Sequence, residues 1–342
     1  MIDSTAEIPD CYMNATWYHD YSKAIAQVYC GDKWEPYSYW RTCKITTPYI
    51  NVSAKGARLS WYAQSTKENN QLTIYMFGGS TTWGWGARDD YTISSHLAKK
   101  IYSDYGILAD VVNFGQLGYV NTQEVNLLMR KLTNGNIPDI VIFYDGLNDV
   151  FSSYQSGVDG LPQNEVRRAY EWNYRNEKKP ILKQILSNSL LYKSLFDVPD
   201  KIDLDVDLPS YSLQDPKVKR LFDKVAMRYF YTLRIIGAMS KEFGFDVYCF
   251  WQPVLFTKPT LTNYEKKLFE THSFWCDFYH GAYQSIIQFD NKPKFFCDIA
   301  HTFKNEKQTI YIDPLHVSEY GNQLVAHEMY SKMKGKLSRG TG

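Results

Sequence analysis

From residue 71 onward, short apolar runs bounded by turn residues alternate with longer segments of helical spacing. The runs have the length of buried strands, whereas the longer segments repeat their apolar residues every three or four positions. In the segment 216–242, for example, Val225, Tyr229 and Leu233 fall on one stripe. The predicted strands are 72–77, 107–115, 139–146, 245–253 and 294–300. The predicted helices are 91–106, 121–134, 216–242 and 318–333.

Strands that alternate with helices are typical of a parallel sheet covered on both faces. The pattern therefore predicts an α/β fold, a three-layer α/β/α sandwich around a parallel sheet of about five strands. The main domain is predicted over 71–338, and insertions at about 150–215 and 254–292 interrupt the alternation. Residues 1–70 show no sustained period and many aromatic residues, which predicts an irregular N-terminal extension packed on the core.

Charge and composition narrow the class of protein. The 38 Lys and Arg residues are balanced by 37 Asp and Glu residues, so the chain lacks the basic excess typical of nucleic-acid binding. Aromatic residues make up 16% of the chain, with 28 Tyr, and they suit flat sugar faces and interfaces as well as a core. No apolar run reaches the length that a membrane-spanning helix needs.

The N-terminus lacks the basic and apolar regions of a signal peptide. Two interpretations stay open, a cytosolic protein or, favoured here, an extracytoplasmic protein whose leader is absent from this chain. No Cys-x-x-Cys pair occurs, which argues against a zinc ribbon. Cys249 and Cys297 lie in strand-like runs and are expected to be buried thiols. Cys11, Cys30 and Cys43 could form a disulfide in an oxidising compartment or stay reduced.

Polar groups of complementary chemistry follow the ends of the predicted strands. Ser80, Gly118 and Asn148 follow the first three strands, and Asp313 and His316 precede the last helix. Because ligands bind at the carboxyl ends of the strands in such sheets, these residues are expected to converge. A serine hydroxyl needs a base to take its proton, a histidine needs an acceptor to orient its ring, and amide groups stabilise an oxyanion. The set therefore predicts acyl transfer.

The segments that carry these residues resemble the four sequence blocks of the SGNH hydrolase superfamily, the GDSL-type serine esterases and lipases. The match covers residues 75–150 and 310–330, with the blocks in the family's order. The first block reads Gly-Gly-Ser-Thr where the family has Gly-Asp-Ser-Leu. The serine is kept, so the missing Asp affects only local contacts of the turn.

The resemblance implies the SGNH fold with a flavodoxin-like sheet, and it assigns a role to each of five residues. Ser80 would be the nucleophile, His316 its base and Asp313 the carboxylate that orients His316. The oxyanion hole would be formed by Ser80, Gly118 and Asn148.

For other residues near these segments, a structural role is as plausible as a functional one. Trp83 and Trp85 flank the serine and could line the substrate site or pack beneath it, and Gln252 could contact substrate from the end of the fourth strand. A second Asp-x-x-His pair, Asp298 and His301, could be structural or substrate-lining. The two Asp-x-x-His pairs together could instead bind a metal, but that would leave the serine without a role, so no metal site is predicted.

The predicted function is a serine esterase that requires no cofactor and no metal. Its partner is expected to be a small-molecule or glycan ester, with an O-acetyl group on a carbohydrate as the best candidate, since the chain resembles bacterial members associated with surface polysaccharides. Two alternatives stay open. One is an acyltransferase that moves an acyl group to a glycan hydroxyl with the same residues, and the other is a non-catalytic glycan-binding or scaffold protein. The sequence leaves the oligomeric state open.

Overall fold

The structure is a computed structural model, and it describes residues 8–29, 31–63, 71–165, 167–169 and 213–337. Its strands are β1 Asp32–Glu35, β2 Tyr39–Thr42, β3 Ile45–Thr46, β4 Asn51–Val52, β5 Gln71–Gly78, β6 Leu108–Asn113, β7 Ile140–Asp145, β8 Asp246–Trp251 and β9 Phe296–Asp298. Its helices are α1 Tyr18–Tyr29, α2 Ser80–Trp83, α3 Ile93–Tyr105, α4 Asn121–Thr133, α5 Leu147–Ser156, α6 Pro216–Phe243, α7 Asn263–Thr271, α8 Ser273–Gln288 and α9 Glu319–Leu337.

Five strands form one parallel sheet in the order β6-β5-β7-β8-β9. Counted from β5, this is the order 2-1-3-4-5 of flavodoxin-like sheets. The carboxyl ends lie side by side, with Gly78 of β5 beside Tyr144 of β7, and Asp145 of β7 beside Trp251 of β8. The predicted α/β class and the five predicted strands are confirmed.

Helices cover both faces of the sheet and make the fold three-layered. On one face, Leu97 of α3 and Met329 of α9 pack with Ile142 of β7 in one buried cluster. On the other face, Leu128 of α4 and Tyr229 of α6 pack with the sheet in a second cluster. The stripe predicted for α6 is buried because its apolar residues recur at helical spacing and face the strands.

The N-terminal residues contain regular elements that their sequence pattern did not predict. Helix α1 buries Tyr21, Ile25 and Val28 in a third cluster, together with Val52 of β4. Strands β1 and β2 form one antiparallel pair, and β3 and β4 form another. The buried residues of α1 recur at helical spacing, so the sequence does contain a signal for α1, although the helix lies among short and irregular segments. The division of the chain at residue 70 stays a prediction.

The two insertions differ in what the structure describes of them. Residues 170–212, most of the first insertion, lie outside the described residues. The second insertion, at 254–292, is largely helical and contributes α7 and α8, neither of which was predicted. Thr262 caps α7 and exchanges hydrogen bonds with Glu265, a capping box that the sequence does contain.

Among the described residues, no helix is both long enough and apolar enough to cross a membrane. Cys11 and Cys43 are free thiols, and Cys30 lies outside the described residues. Cys249 is buried in β8 as expected. Cys297 is only half-buried, because β9 is the edge strand of the sheet.

Candidate active site

The loop after β5 turns sharply and presents Ser80 at the carboxyl edge of the sheet. Gly78 has φ +154°, and a Cβ there would collide with the Thr82 hydroxyl and lie 2.5 Å from the Tyr144 carbonyl oxygen. A Cβ on Gly79 would collide with the side-chain amide of Asn148. Both glycines are therefore required by close contacts, and the second one lets Asn148 approach the serine.

His316 links Ser80 to Asp313 through both of its ring nitrogens. His316 Nε2 lies 2.7 Å from Ser80 Oγ, and His316 Nδ1 lies 2.6 Å from Asp313 Oδ2. A carboxylate accepts only, so Nδ1 carries the hydrogen and Nε2 is left to accept the serine proton. Ser80 and His316 are 8% and 9% exposed, so the pair is shielded while still open to the cavity beside it.

Asp313 is kept charged by the contacts of its own turn. Its Oδ1 accepts the backbone N–H groups of Leu315 and His316 at 2.9 and 2.8 Å. Burial by itself would raise the pKa of the Asp313 carboxyl, but the charge of His316 and these hydrogen bonds hold that pKa below its usual value. The carboxylate is therefore suited to orient the His316 ring and to stabilise its protonated form.

A buried ion pair from the second insertion holds the segment that leads into Asp313. Glu265 Oε1 accepts the backbone N–H groups of Ile310 and Tyr311 at 2.9 and 3.2 Å, and its other oxygen pairs with the Lys258 ammonium. Both charged side chains are fully buried. The hydroxyl of Tyr264 donates to the Ile312 carbonyl at 2.9 Å. Sequence reasoning missed these residues, although the capping box on Glu265 was a visible signal.

Gly118 and Asn148 lie beside Ser80, as predicted. Gly118 has φ +72°, a conformation that favours glycine, and the Gln163 amide occupies the space where its Cβ would point. Asn148 Nδ2 donates one hydrogen to the Tyr119 carbonyl at 2.8 Å, and Gln163 Nε2 donates to Asn148 Oδ1 at 3.4 Å. Because an amide group has two hydrogens, Asn148 keeps one for a further acceptor. The sequence pointed to Gly118 and Asn148 but not to Gln163.

These residues open into one cavity of about 580 Å³. Its lining contains Ser80, Gly118, Asn148, Asp313 and His316, so the structure brings together the five residues that the sequence pointed to. A wider hollow of about 910 Å³, lined by Tyr91, His96 and Lys99 among others, contains none of the five.

The three residues suggested as substrate-lining have different positions. Trp85 lines the cavity, with its ring centroid 5.8 Å from that of His316. Trp83 is fully buried and packs in the N-terminal cluster, so the suggestion that it lines the site is wrong. Gln252 is 4% exposed, accepts from the Thr81 hydroxyl at 3.4 Å and is absent from the lining of the cavity, so that suggestion is wrong too. Both side chains are instead buried beneath the turn that carries Ser80.

The N-terminal residues fasten this turn from the other side. The fully buried guanidinium of Arg58 donates to the carbonyls of Trp83, Gly84 and Ala87, at 3.1, 2.6 and 2.6 Å. It also pairs with Asp89 at 3.0 Å and lies 4.2 Å from the centroid of the Trp83 ring. The turn thus keeps its shape through charge-assisted hydrogen bonds that start outside the sheet. Nothing in the local sequence around Arg58 signals this role.

Three buried carboxyl groups lie beneath the loops that carry Gly118 and Asn148. Asp149 accepts the Asn121 backbone N–H at 3.1 Å, and Asp145 accepts from the Asn121 side chain at 2.9 Å. Burial raises the pKa of Asp145 to about 6 and the pKa values of Glu124 and Asp149 well above their usual range. The cluster ties the two loops together, and its burial disfavours the charged forms of these carboxyl groups. Asp149 supports the loop through its hydrogen bond from the Asn121 backbone.

The second Asp-x-x-His pair lies outside the cavity. Tyr283 donates its hydroxyl hydrogen to Asp298 Oδ2 at 2.7 Å and lies 3.4 Å from His301 Nε2. His301 is exposed. In the part of the chain that the structure describes, no group of three or more His, Cys, Asp or Glu side chains is placed to hold a metal ion.

Comparisons with known proteins give only distant likenesses. A scan of protein-family models finds no match to this chain, and a search of curated proteins finds no relative. Among solved structures, the acetyl xylan esterase AlAXEase is 12% identical with a TM-score of 0.41, over 76% of this chain and 99% of that one. The lipase Lip_vut3 from a goat rumen metagenome is 13% identical with a TM-score of 0.42, over 76% and 96%.

A third similar structure is Axe2, an acetylxylan esterase from Geobacillus stearothermophilus. It is 13% identical with a TM-score of 0.40, over 77% of this chain and 94% of that one. Identities and TM-scores this low carry no argument about activity.

Proposed function

We propose that this protein is a serine hydrolase of the SGNH type that cleaves carboxylic esters. The observation that carries the proposal is the hydrogen-bonded chain from Asp313 through His316 to Ser80, with distances of 2.6 and 2.7 Å, at the wall of a cavity. Such a chain supplies a nucleophile, a base and an orienting carboxylate that are already hydrogen-bonded to one another.

In the proposed reaction, Ser80 Oγ attacks the ester carbonyl carbon while its proton passes to His316 Nε2. The negative charge that develops on the carbonyl oxygen is stabilised by the backbone N–H groups of Ser80 and Gly118 and by the Asn148 side-chain amide. Each such donor is worth about 3 kcal/mol in the transition state. Asp313 stabilises the protonated ring but stays ionised itself.

The intermediate then collapses as the bond from the carbonyl carbon to the alcohol oxygen breaks. His316 donates its proton to that oxygen, the alcohol leaves, and the acyl group stays on Ser80. A water molecule next attacks the acyl-enzyme, with His316 as the base for a second time. The acid leaves and Ser80 regains its proton, so these side chains account for every proton transfer.

The identity of the substrate is a separate question. An O-acetyl ester on a carbohydrate, which the family resemblance favours, stays a prediction, and so does acyl transfer to a glycan hydroxyl in place of water. Neither draws support from the lining of the cavity, which offers few polar groups apart from the five candidate residues.

Ser80→Ala tests the proposal. Hydrolysis of p-nitrophenyl esters should fall by at least about 10³-fold, because loss of the nucleophile disables the whole constellation. A fluorophosphonate probe followed by peptide mapping should label wild-type protein at Ser80 and leave the variant unlabelled. Ser331→Ala, which removes an exposed serine hydroxyl of α9 outside the cavity, should keep both the labelling and the turnover.

Circular dichroism should show that Ser80→Ala is folded. Full turnover in the folded variant, or labelling at Thr81 in the wild type, would overturn the assignment. Glycan binding without any esterase activity or labelling would favour the scaffold alternative.

A further inference from the structure

Apart from the five candidate catalytic residues, the cavity wall is mostly apolar. Eight of the ten other lining residues are apolar or aromatic, and six of these are Leu117, Leu147, Phe151, Phe256, Trp275 and Leu315. Gln163 and His272 are the polar ones, and His272 Nδ1 is already engaged with the Leu268 carbonyl at 2.8 Å. A sugar would have to give up hydrogen bonds with water against such a wall, whereas an alkyl or aryl group would lose none.

The apolar wall begins at an oxyanion donor. Asn148 and Leu147 open α5, and Phe151 lies one helical turn after Leu147 on the same face. The ring centroid of Phe151 is 4.4 Å from that of Trp275 on α8. Tyr154 packs behind this pair, 4.8 Å from both Trp275 and Phe278. The wall is therefore supported from behind by further aromatic rings.

The chemistry of the proposed function, on which this inference rests, assigns the wall to one part of the substrate. The carbonyl oxygen has to face Gly118 and Asn148, and the leaving oxygen has to face His316 Nε2. The remaining substituent on the carbonyl carbon is the acyl chain, and it is left to lie along Leu147, Phe151 and Trp275.

We infer that the substrate carries an apolar acyl group longer than acetyl, and that Phe151 and Trp275 determine this specificity. A water molecule takes up about 30 Å³ in the liquid and the methyl of an acetyl group is of similar size, so acetyl would leave most of the 580 Å³ unfilled. Each further methylene buried against the wall should raise kcat/KM by about fourfold until the chain is longer than the wall.

The test is kcat/KM for p-nitrophenyl acetate, butyrate, hexanoate and octanoate. Hexanoate should exceed acetate by about 10²-fold if all four additional methylenes are buried, and by at least about tenfold if only two are. A rate for acetate equal to or above that for hexanoate would overturn the inference while leaving the esterase assignment intact. Turnover of none of these esters, with no fluorophosphonate labelling, would remove the proposed function and this inference with it.

A second series keeps the acyl group as acetyl and lengthens the alcohol from ethyl to octyl. Rates that rise with the alcohol, and not with the acyl chain, would assign the wall to the leaving group and overturn the inference. Rates that depend on the acyl chain alone support it.

Variants of the two wall residues test whether these side chains determine the preference for a long acyl chain. Phe151→Ala and Trp275→Ala should each lower the hexanoate-to-acetate ratio by at least about threefold, because each removes part of the wall. Trp34→Ala is the matched control, because Trp34 is 67% exposed and outside the cavity, and it should keep the wild-type ratio. An unchanged ratio in both folded wall variants would overturn the assignment. If either variant fails to fold, Phe151→Leu and the wild-type series still decide.

Discussion

Two regions of this protein carry an Asp-x-x-His pair, and the two pairs differ in what surrounds them. Both begin with the same local turn, in which the aspartate accepts a backbone N–H two residues later, from Leu315 in one and Ala300 in the other. The other aspartate oxygen accepts from His316 in the first pair and from Tyr283 in the second.

The Asp-x-x-His spacing therefore forms the local turn in both places, whereas contacts with residues distant in the chain decide whether the histidine can act as a base. His316 is buried against Ser80, which is 236 positions away in the chain. His301 is exposed just after the edge strand β9, and its Nε2 lies 3.4 Å from the Tyr283 hydroxyl instead of a serine. Three predictions test this difference, from the largest expected effect to the smallest.

The two histidines should differ most in their effect on activity. His316→Ala removes the base and should lower kcat for p-nitrophenyl esters by at least about 10³-fold. His301→Ala, at the surface and outside the cavity, should stay within about threefold of wild type. Steady-state kinetics on folded variants provides the measurement, and similar losses in the two variants would break the comparison.

The first pair should also depend on the buried ion pair that anchors its loop. Glu265→Gln leaves the Lys258 ammonium buried without its counter-charge, which should lower the free energy of unfolding by about 3 kcal/mol. The loop that carries Asp313 should loosen, so kcat should fall as well. Denaturant unfolding monitors the first effect and ester hydrolysis the second.

Glu328→Gln is the control for this prediction, because it breaks an exposed ion pair with Lys332. It should cost less than about 1 kcal/mol. Equal destabilisation by the two substitutions would show that the buried pair does not hold the loop.

The smallest effect should come from the buried carboxyl groups beneath the site, whose pKa values move in the opposite direction to that of Asp313. Burial raises the pKa of Glu124, so the folded protein holds this proton to a higher pH than the unfolded chain does. Its contribution to stability is therefore complete below pH of about 4 and declines as the pH rises.

Glu124→Gln should make the decline between pH 5 and pH 8 shallower by at least about 1 kcal/mol, since one pKa unit corresponds to about 1.4 kcal/mol. Unfolding free energies across this pH range measure it. Glu328→Gln should keep the wild-type slope, and parallel curves for wild type and Glu124→Gln would contradict the prediction.

Much of the fold could be predicted because strand and helix patterns are local. The stripe of α6 and the five strands of the sheet follow from the spacing and length of their apolar runs. Helix α1 was missed although its apolar residues also recur at helical spacing, because the elements around it are short and show no alternation of strands and helices. Helices α7 and α8 were missed because they lie in an insertion that interrupts the alternation of strands and helices. The apolar residues of α8 pack with those of α6.

The candidate site could be predicted in part for the same reason. Ser80, Gly118 and Asn148 follow strands whose ends are recognisable, and neighbouring parallel strands end at one edge. The sequence could not decide whether Trp83 lines the cavity or packs in the core, because tryptophan is common in both environments. Arg58 was missed because its carbonyl partners lie 25 to 29 positions away.

The amino-acid sequence alone specified the five strands of the sheet and the main helices between them, the glycine turn before Ser80 and the Asp-x-x-His turns, since each depends on residues within a few positions of one another. The tertiary structure decided which histidine faces the serine, which tryptophan lines the cavity and which charges are buried beneath it. These outcomes depend on atoms within about 3 Å of each other from segments far apart in the chain. Local spacing cannot specify such contacts, because they exist only once the sheet and its loops have packed.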